Sequence, residues 1–234
     1  MKKIITTCFI LIGLTTQAQD NQIKLNLFAL ALGNISLQYE HTLKEHSSIC
    51  LGVSILPSRY LPTVITDKDS SGALKLLSFS GFSFTPEYRY YFSGNAPKGF
   101  YIAPYLRYSK YGVDKLGVEY HSNTTNKDER VYVDGTLKST TIGMMFGTQW
   151  KLGAHMTLDW WIVGFGFGSQ SATLTGVGNF TQSDIEDIKV QIADLDGNIP
   201  GTLTSEVTST SVQVKYNIGS VAFRASGLCL GYRF

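Results

Sequence analysis

The chain has 234 residues, with 20 Lys+Arg against 18 Asp+Glu. Lys2 and Lys3 lie in a segment with the character of a secretory signal, so the mature balance is 18 against 18 and argues against nucleic acid or a polybasic membrane patch as partners. Three cysteines and four histidines form no zinc spacing and no disulfide framework.

In chain order, residues 1–18 read as a signal peptide. Lys2 and Lys3 supply its positive start, Ile4 to Leu14 is mostly apolar, and Thr16-Gln17-Ala18 offers small residues for cleavage. The apolar run is too short to cross about 30 Å of hydrocarbon as a helix. Residues 19–234 read as one domain, with no linker and no internal repeat.

Strands are expected at Ile23 to Ala31 and Ile35 to Leu43, joined about Leu32-Gly33-Asn34. Others follow at Ser47 to Leu56, Leu74 to Phe92, Phe100 to Tyr111, Ser139 to Leu152 and Met156 to Gly168, and the last runs from about Ser211 to Phe234. Ile35, Leu37 and Tyr39 alternate with Ser36, Gln38 and Glu40. Likewise Phe82, Phe84, Tyr88, Tyr90 and Phe92 oppose Ser83, Thr85, Glu87 and Arg89. Short turns alternate with long stretches, Pro57 to Gly72, Gly112 to Lys138 and Ser169 to Ser209, read as outer loops. The pattern predicts an all-β, antiparallel up-and-down transmembrane β-barrel of eight strands. A ten-stranded alternative would recruit Arg130 to Lys138 and Val207 to Ile218. A soluble barrel with an apolar lumen fits less well, since the charged residues share faces with Ser, Thr and Gln.

The ending Gly227-Leu228-Cys229-Leu230-Gly231-Tyr232-Arg233-Phe234 carries Leu230, Tyr232 and Phe234 on one face. It resembles the C-terminal signal read by the assembly machinery of Gram-negative outer-membrane barrels, with Cys229 where that signal usually has Gly. Together with Ile35-Ser36-Leu37-Gln38-Tyr39-Glu40 and Glu87-Tyr88-Arg89-Tyr90-Tyr91-Phe92, it makes the chain resemble the small OmpA/OmpX-like outer-membrane β-barrels, in a poorly characterised branch. That resemblance implies an outer-membrane location more firmly than an activity.

Candidate functional residues lie first in the lumen. Glu40, Glu87, Arg89, Arg107 and Asp159 are expected to form a charge network that plugs a barrel just wide enough for side chains. Cys50 and Cys229 should face the same interior as free thiols, on strands too far apart to be bridged. An interfacial belt is expected from Trp150, Trp160, Tyr88, Tyr90, Phe92, Phe100, Tyr232 and Phe234, while Asp159 leaves the direction of Trp161 open. Arg224 shares the parity of Phe234 and is expected on the lipid face as a possible lipopolysaccharide contact.

Within the longest loop, Ser183 and Glu186 read as a capping box, and Ile185, Ile188, Ile192 and Leu195 form the apolar stripe of a short helix. A flap or a partner-binding element fits that helix better than a calcium loop, because the later carboxylate of an EF-hand is missing. Of the four candidate bases, His41, His46, His121 and His155, only His121, beside Ser122, falls in an expected outer loop.

These features lead to an expected non-enzymatic outer-membrane barrel with a plugged lumen and a structural or interaction role for its outer loops. It would have no cofactor, metal or catalytic residue. Its partners would be outer-membrane lipid and lipopolysaccharide, the barrel assembly machinery, and an envelope protein docking on the loops. The alternatives are a lipid- or peptide-cleaving barrel enzyme, with His121 tested first, and a small pore whose conductance would respond to Glu87→Gln or Arg107→Gln.

Overall fold

A computed structural model describes residues 20–60, 77–122, 127–196 and 200–234. The expected signal peptide, and residues 61–72 of the first long stretch, lie outside the described residues. Ten antiparallel strands and two helices are present among those described.

Strands β1 (Asn21–Asn26), β2 (Ile35–Lys44), β3 (Ser47–Tyr60), β4 (Ser78–Tyr91), β5 (Gly99–Ser122), β6 (Lys127–Leu152) and β7 (Met156–Val177) follow one another in sequence and in space. β10 (Gly227–Arg233) pairs with β1 on one edge and β7 on the other, so eight strands close in a ring. β9 (Ser211–Arg224) continues the edge of β7 beyond β10, and β8 (Thr202–Val207) pairs with β9 outside the ring.

Alternation sets the two faces. Outward lie Ile23, Leu37, Tyr39, Leu51, Val53, Phe82, Phe84 and Ile142, all exposed, whereas Gln22, Lys24, Gln38, Glu40, Thr85, Glu87, Arg89 and Asp159 are buried inside. The aromatic residues expected in the belt, from Tyr88 on β4 to Phe234 after β10, are exposed near the end that carries the short turns.

Several sequence-based boundaries are corrected. The first strand stops at Asn26 instead of Ala31, because the Asn26 side chain accepts from the Ala29 backbone N–H at 3.0 Å and caps a short helix, α1 (Leu27–Ala31). Leu27-Phe28-Ala29-Leu30-Ala31 has no period-two pattern to hold it as strand. Gly112 to Ser122 and Lys127 to Lys138 are strand extensions: β5 and β6 pair from Gly99↔Gln149 to Ser122↔Lys127. The Ser169 to Ser209 stretch likewise holds the end of β7, helix α2 (Gln182–Asp196) and β8. Both long stretches are rich in Ser, Thr and charge, which imitates loop composition although the backbone groups of their strand segments pair across a sheet.

Glycine makes room for the lumen's rings at two neighbouring sites on β6. A Cβ on Gly147 would collide with the Tyr101 ring at Cζ, and one on Gly143 would sit 2.7 Å from Tyr105 Cζ. Gly147→Ala is therefore expected to displace Tyr101 and destabilise the barrel by roughly 1–3 kcal/mol through overpacking. Thermal unfolding in detergent would measure this, and an unchanged midpoint would count against so close a fit.

Candidate functional site

The lumen just above the short-turn end is filled by ions. Asp159 on β7 accepts from Lys24 Nζ at 2.6 Å, from Arg89 Nη1 at 2.7 Å and from Tyr101 Oη at 2.8 Å. Glu40 on β2 pairs with Lys24 and with Arg89 at 3.3 Å, and accepts from Tyr91 Oη at 2.7 Å, Gln22 Nε2 at 2.9 Å and Ser48. Glu87 on β4 accepts from Arg89 Nη2 at 2.9 Å on one oxygen and from Arg224 on the other. Gln149 accepts from Lys24 at 2.8 Å and donates to Gln22 at 2.9 Å.

Three cations, Lys24, Arg89 and Arg224, thus face three carboxylates, Glu40, Glu87 and Asp159. The cluster is electroneutral and almost entirely shielded from solvent. Burial of charge is tolerable only in such a paired and hydrogen-bonded form. Arg89 lies under the ring of Tyr101 at 4.6 Å, and Arg224 lies 4.2 Å from the Trp161 ring centroid. Cys50 and Cys229 border the cluster as fully buried free thiols.

Of the residues expected in this network, the structure brings together Glu40, Glu87, Arg89 and Asp159. Arg107 stands apart. It is half-buried above the cluster, donating only to the hydroxyls of Ser83 and Ser109, each at 3.1 Å, with no carboxylate in salt-bridge range among the described residues. Lys24 was not among the sequence candidates although it sits at the centre. Its signal was available: Ile23 and Leu25 face outward, which places Lys24 inside with Gln22 and Asn26.

Arg224 requires a correction. Its parity with Phe234 assumed one unbroken strand, but the strand is interrupted at Ala225 and Ser226. In β9 the even-numbered residues face inward, with Val221 and Phe223 exposed, while in β10 the odd-numbered ones do, with Leu230 and Tyr232 exposed. Arg224 is consequently an interior partner of Glu87, and the expected lipopolysaccharide contact is withdrawn. A bulge plays the same part in β7: Phe146 pairs with Val163 and Gly147 with Trp161, so Ile162 is an extra residue. Trp161 below it points inward and is buried.

Leu230, Tyr232 and Phe234 share the outer face of the closing strand, and Phe234 N–H donates to the Asn21 carbonyl at 2.9 Å. Among the histidines, His41 donates to Asn21 Oδ1 at 2.8 Å, His46 donates to the Tyr91 carbonyl at 2.8 Å and stacks on Tyr90, and His155 stacks on Tyr232. All three belong to the short-turn end. His121 and Ser122 lie at the tip of β5, paired with Asp128 and Lys127, and their side chains are outside the described set.

Helix α2 forms near its expected place, but its cap is Thr181, two residues before Ser183. Thr181 Oγ1 donates to Asp184 Oδ2 at 2.7 Å, and the Asp184 N–H donates back to Thr181 Oγ1 at 3.2 Å. Ile185 is buried, and Ile188 and Ile192 face a cavity of about 340 Å³ with Phe180, Val133, Leu174 and Val214. The stripe therefore covers the inner face of the sheet extension. The side chain of Leu195, the fourth residue of that stripe, is outside the described set.

A family model described as "Protein of unknown function (DUF3575)" matches residues 4–183. No curated protein and no solved structure matches the chain.

Proposed function

From a chain that belongs to the DUF3575 family of proteins of unknown function, and whose eight-stranded ring turns apolar side chains outward and ions inward, we infer an integral barrel of the Gram-negative outer membrane. It is of the small OmpA/OmpX-like kind, non-enzymatic, with a plugged lumen. The observation that carries this reading is the inversion of faces. A ring of exposed Ile, Leu, Val, Phe, Tyr and Trp far exceeds the apolar patches of a few hundred Å² typical of water-soluble monomers. It is what lipid solvates, while a closed ring satisfies the backbone without water.

The salt-bridged cluster supports a plug over a pore, because its carboxylates and cations are consumed by one another. The same saturation disfavours an acid–base pair for catalysis. The extended hairpin of β5 and β6 and the α2 flap give the outer end its own surface, where an envelope protein could dock. Lipopolysaccharide and the assembly machinery are the other partners of this reading.

Val53→Arg separates the lipid-embedded barrel from a soluble one. Val53 lies mid-strand, between Leu37 and Phe84 on the outer face. In water an added arginine there is nearly neutral, whereas near a bilayer midplane it costs about 2–4 kcal/mol. Fractionation of cells making the full chain, followed by unfolding of wild type and variant in vesicles, reads both points. Recovery in the soluble fraction with an unperturbed variant would overturn the assignment.

A further inference from the structure

Above the ion cluster the lumen contains two adjoining cavities, of about 380 Å³ and about 100 Å³. Asn26, Ala29, Asn34, Arg107, Trp161 and Arg224 line both. The smaller is lined mostly by polar side chains, and three of its lining residues carry a donor without an acceptor. Trp161 Nε1, Arg224 Nε and Gln38 Nε2, on residues that line it, are buried without a partner among the described residues. The three side chains are 6%, 9% and 2% exposed. Buried donors are nearly always satisfied, and each one left alone is costly. Beside them Arg107 is a further inward cation, with no carboxylate in salt-bridge range among the described residues. Donors and an uncompensated positive charge together call for an anionic oxygen.

The larger cavity leads sideways. β10 seals the lower part of β7, and β8 covers β9 from Val212 to Asn217, but Ile218 to Arg224 has no strand on its outer edge among the described residues. Across that gap stands α1, held against β10 and β2. The cavity reaches the surface there, between Phe28 of α1, Leu32 just after it and Phe223 of β9, which are 47%, 71% and 72% exposed. Irregular backbone at membrane depth is tolerated where it lines a cavity. Ala29, Ala222 and Ala225 keep the opening clear of bulk.

We propose that this seam admits a long-chain fatty acid, its carboxylate held in the donor chamber by Arg107, Arg224 and Trp161 and its chain lying in the larger cavity and out between α1 and β9. The cavity volume falls within the roughly 300–1,000 Å³ of small-molecule sites. The inference rests on the membrane reading, since the opening faces the same apolar belt.

The test uses the full chain purified from membranes in a maltoside detergent, with Trp150→Phe and Trp160→Phe so that Trp161 is the sole indole. A fatty acid brominated next to its carboxylate should quench Trp161 saturably. The matching brominated alcohol should bind about tenfold or more weakly, as should the acid to an added Arg107→Gln, because each loses a charge-assisted hydrogen bond. Acetate should not compete at concentrations near that of the fatty acid. No saturable quenching, equal quenching by acid and alcohol, or full competition by acetate would each overturn the proposal, the last reducing the chamber to a free-anion site. The alcohol comparison stands even if Arg107→Gln fails to fold. Failure of membrane partitioning would sink the membrane reading itself, whereas a membrane-embedded barrel without quenching sinks only the ligand.

Discussion

Replacing Asp159 with Ala is expected to destabilise the barrel by about 3–5 kcal/mol, because it strands Lys24 and Arg89 as uncompensated buried cations. This carboxylate is the one group bonded to Lys24, Arg89 and Tyr101 together, joining β1, β4, β5 and β7 across the lumen. Urea unfolding in vesicles, followed by tryptophan emission, would measure the loss. The double change Lys24→Met with Asp159→Leu should recover at least half of it, since Arg89 and Arg224 still balance Glu40 and Glu87. Should Asp159→Ala cost less than about 1 kcal/mol, the range of an exposed pair, the cluster would be accessible to water and not a plug.

Leu230→Pro is expected to abolish the closed ring. β10 is seven residues long and has strands on both edges, and Leu230 at its middle stands opposite Leu25 of β1 and Leu158 of β7. Proline removes a ladder hydrogen bond and is found essentially only on sheet edges or at bulges. Opening this strand would expose two unpaired edges to hydrocarbon, where each orphaned backbone group costs several kcal/mol. Electrophoresis without heating distinguishes the compact barrel from the unfolded chain. The variant should show only the unfolded species, whereas Leu230→Ala, which keeps the N–H, should still show the compact one. A compact Leu230→Pro variant would mean that ring closure does not depend on β10.

The two variants probe features that were unequally legible in the sequence. Alternation is a local property with a period of two, so the outward faces of β2, β3 and β4, the inward Glu40, Glu87, Arg89 and Asp159, and the free thiols Cys50 and Cys229 could be read from neighbouring residues alone. Lys24 obeys the same rule, between the outward Ile23 and Leu25. Where the period is interrupted, the local reading fails. The extra residue at Ile162 and the break at Ala225-Ser226 each reverse parity downstream, which is why Arg224 was placed on the wrong face and Trp161 left undecided. One residue too many moves every following side chain through the sheet.

By itself the sequence determined the all-β class, the inside-out distribution of apolar and charged residues and the presence of a loop helix, because each follows from periodicity or capping chemistry, while it left eight strands and ten both open. Only the tertiary structure decided which cation meets which carboxylate, that Arg107 stands apart, that α1 replaces strand at the seam, and that long polar stretches continue β5, β6 and β7 as paired sheet. Those outcomes depend on register between strands distant in sequence. Lys24 and Asp159 are 135 positions apart, and no local pattern encodes their contact.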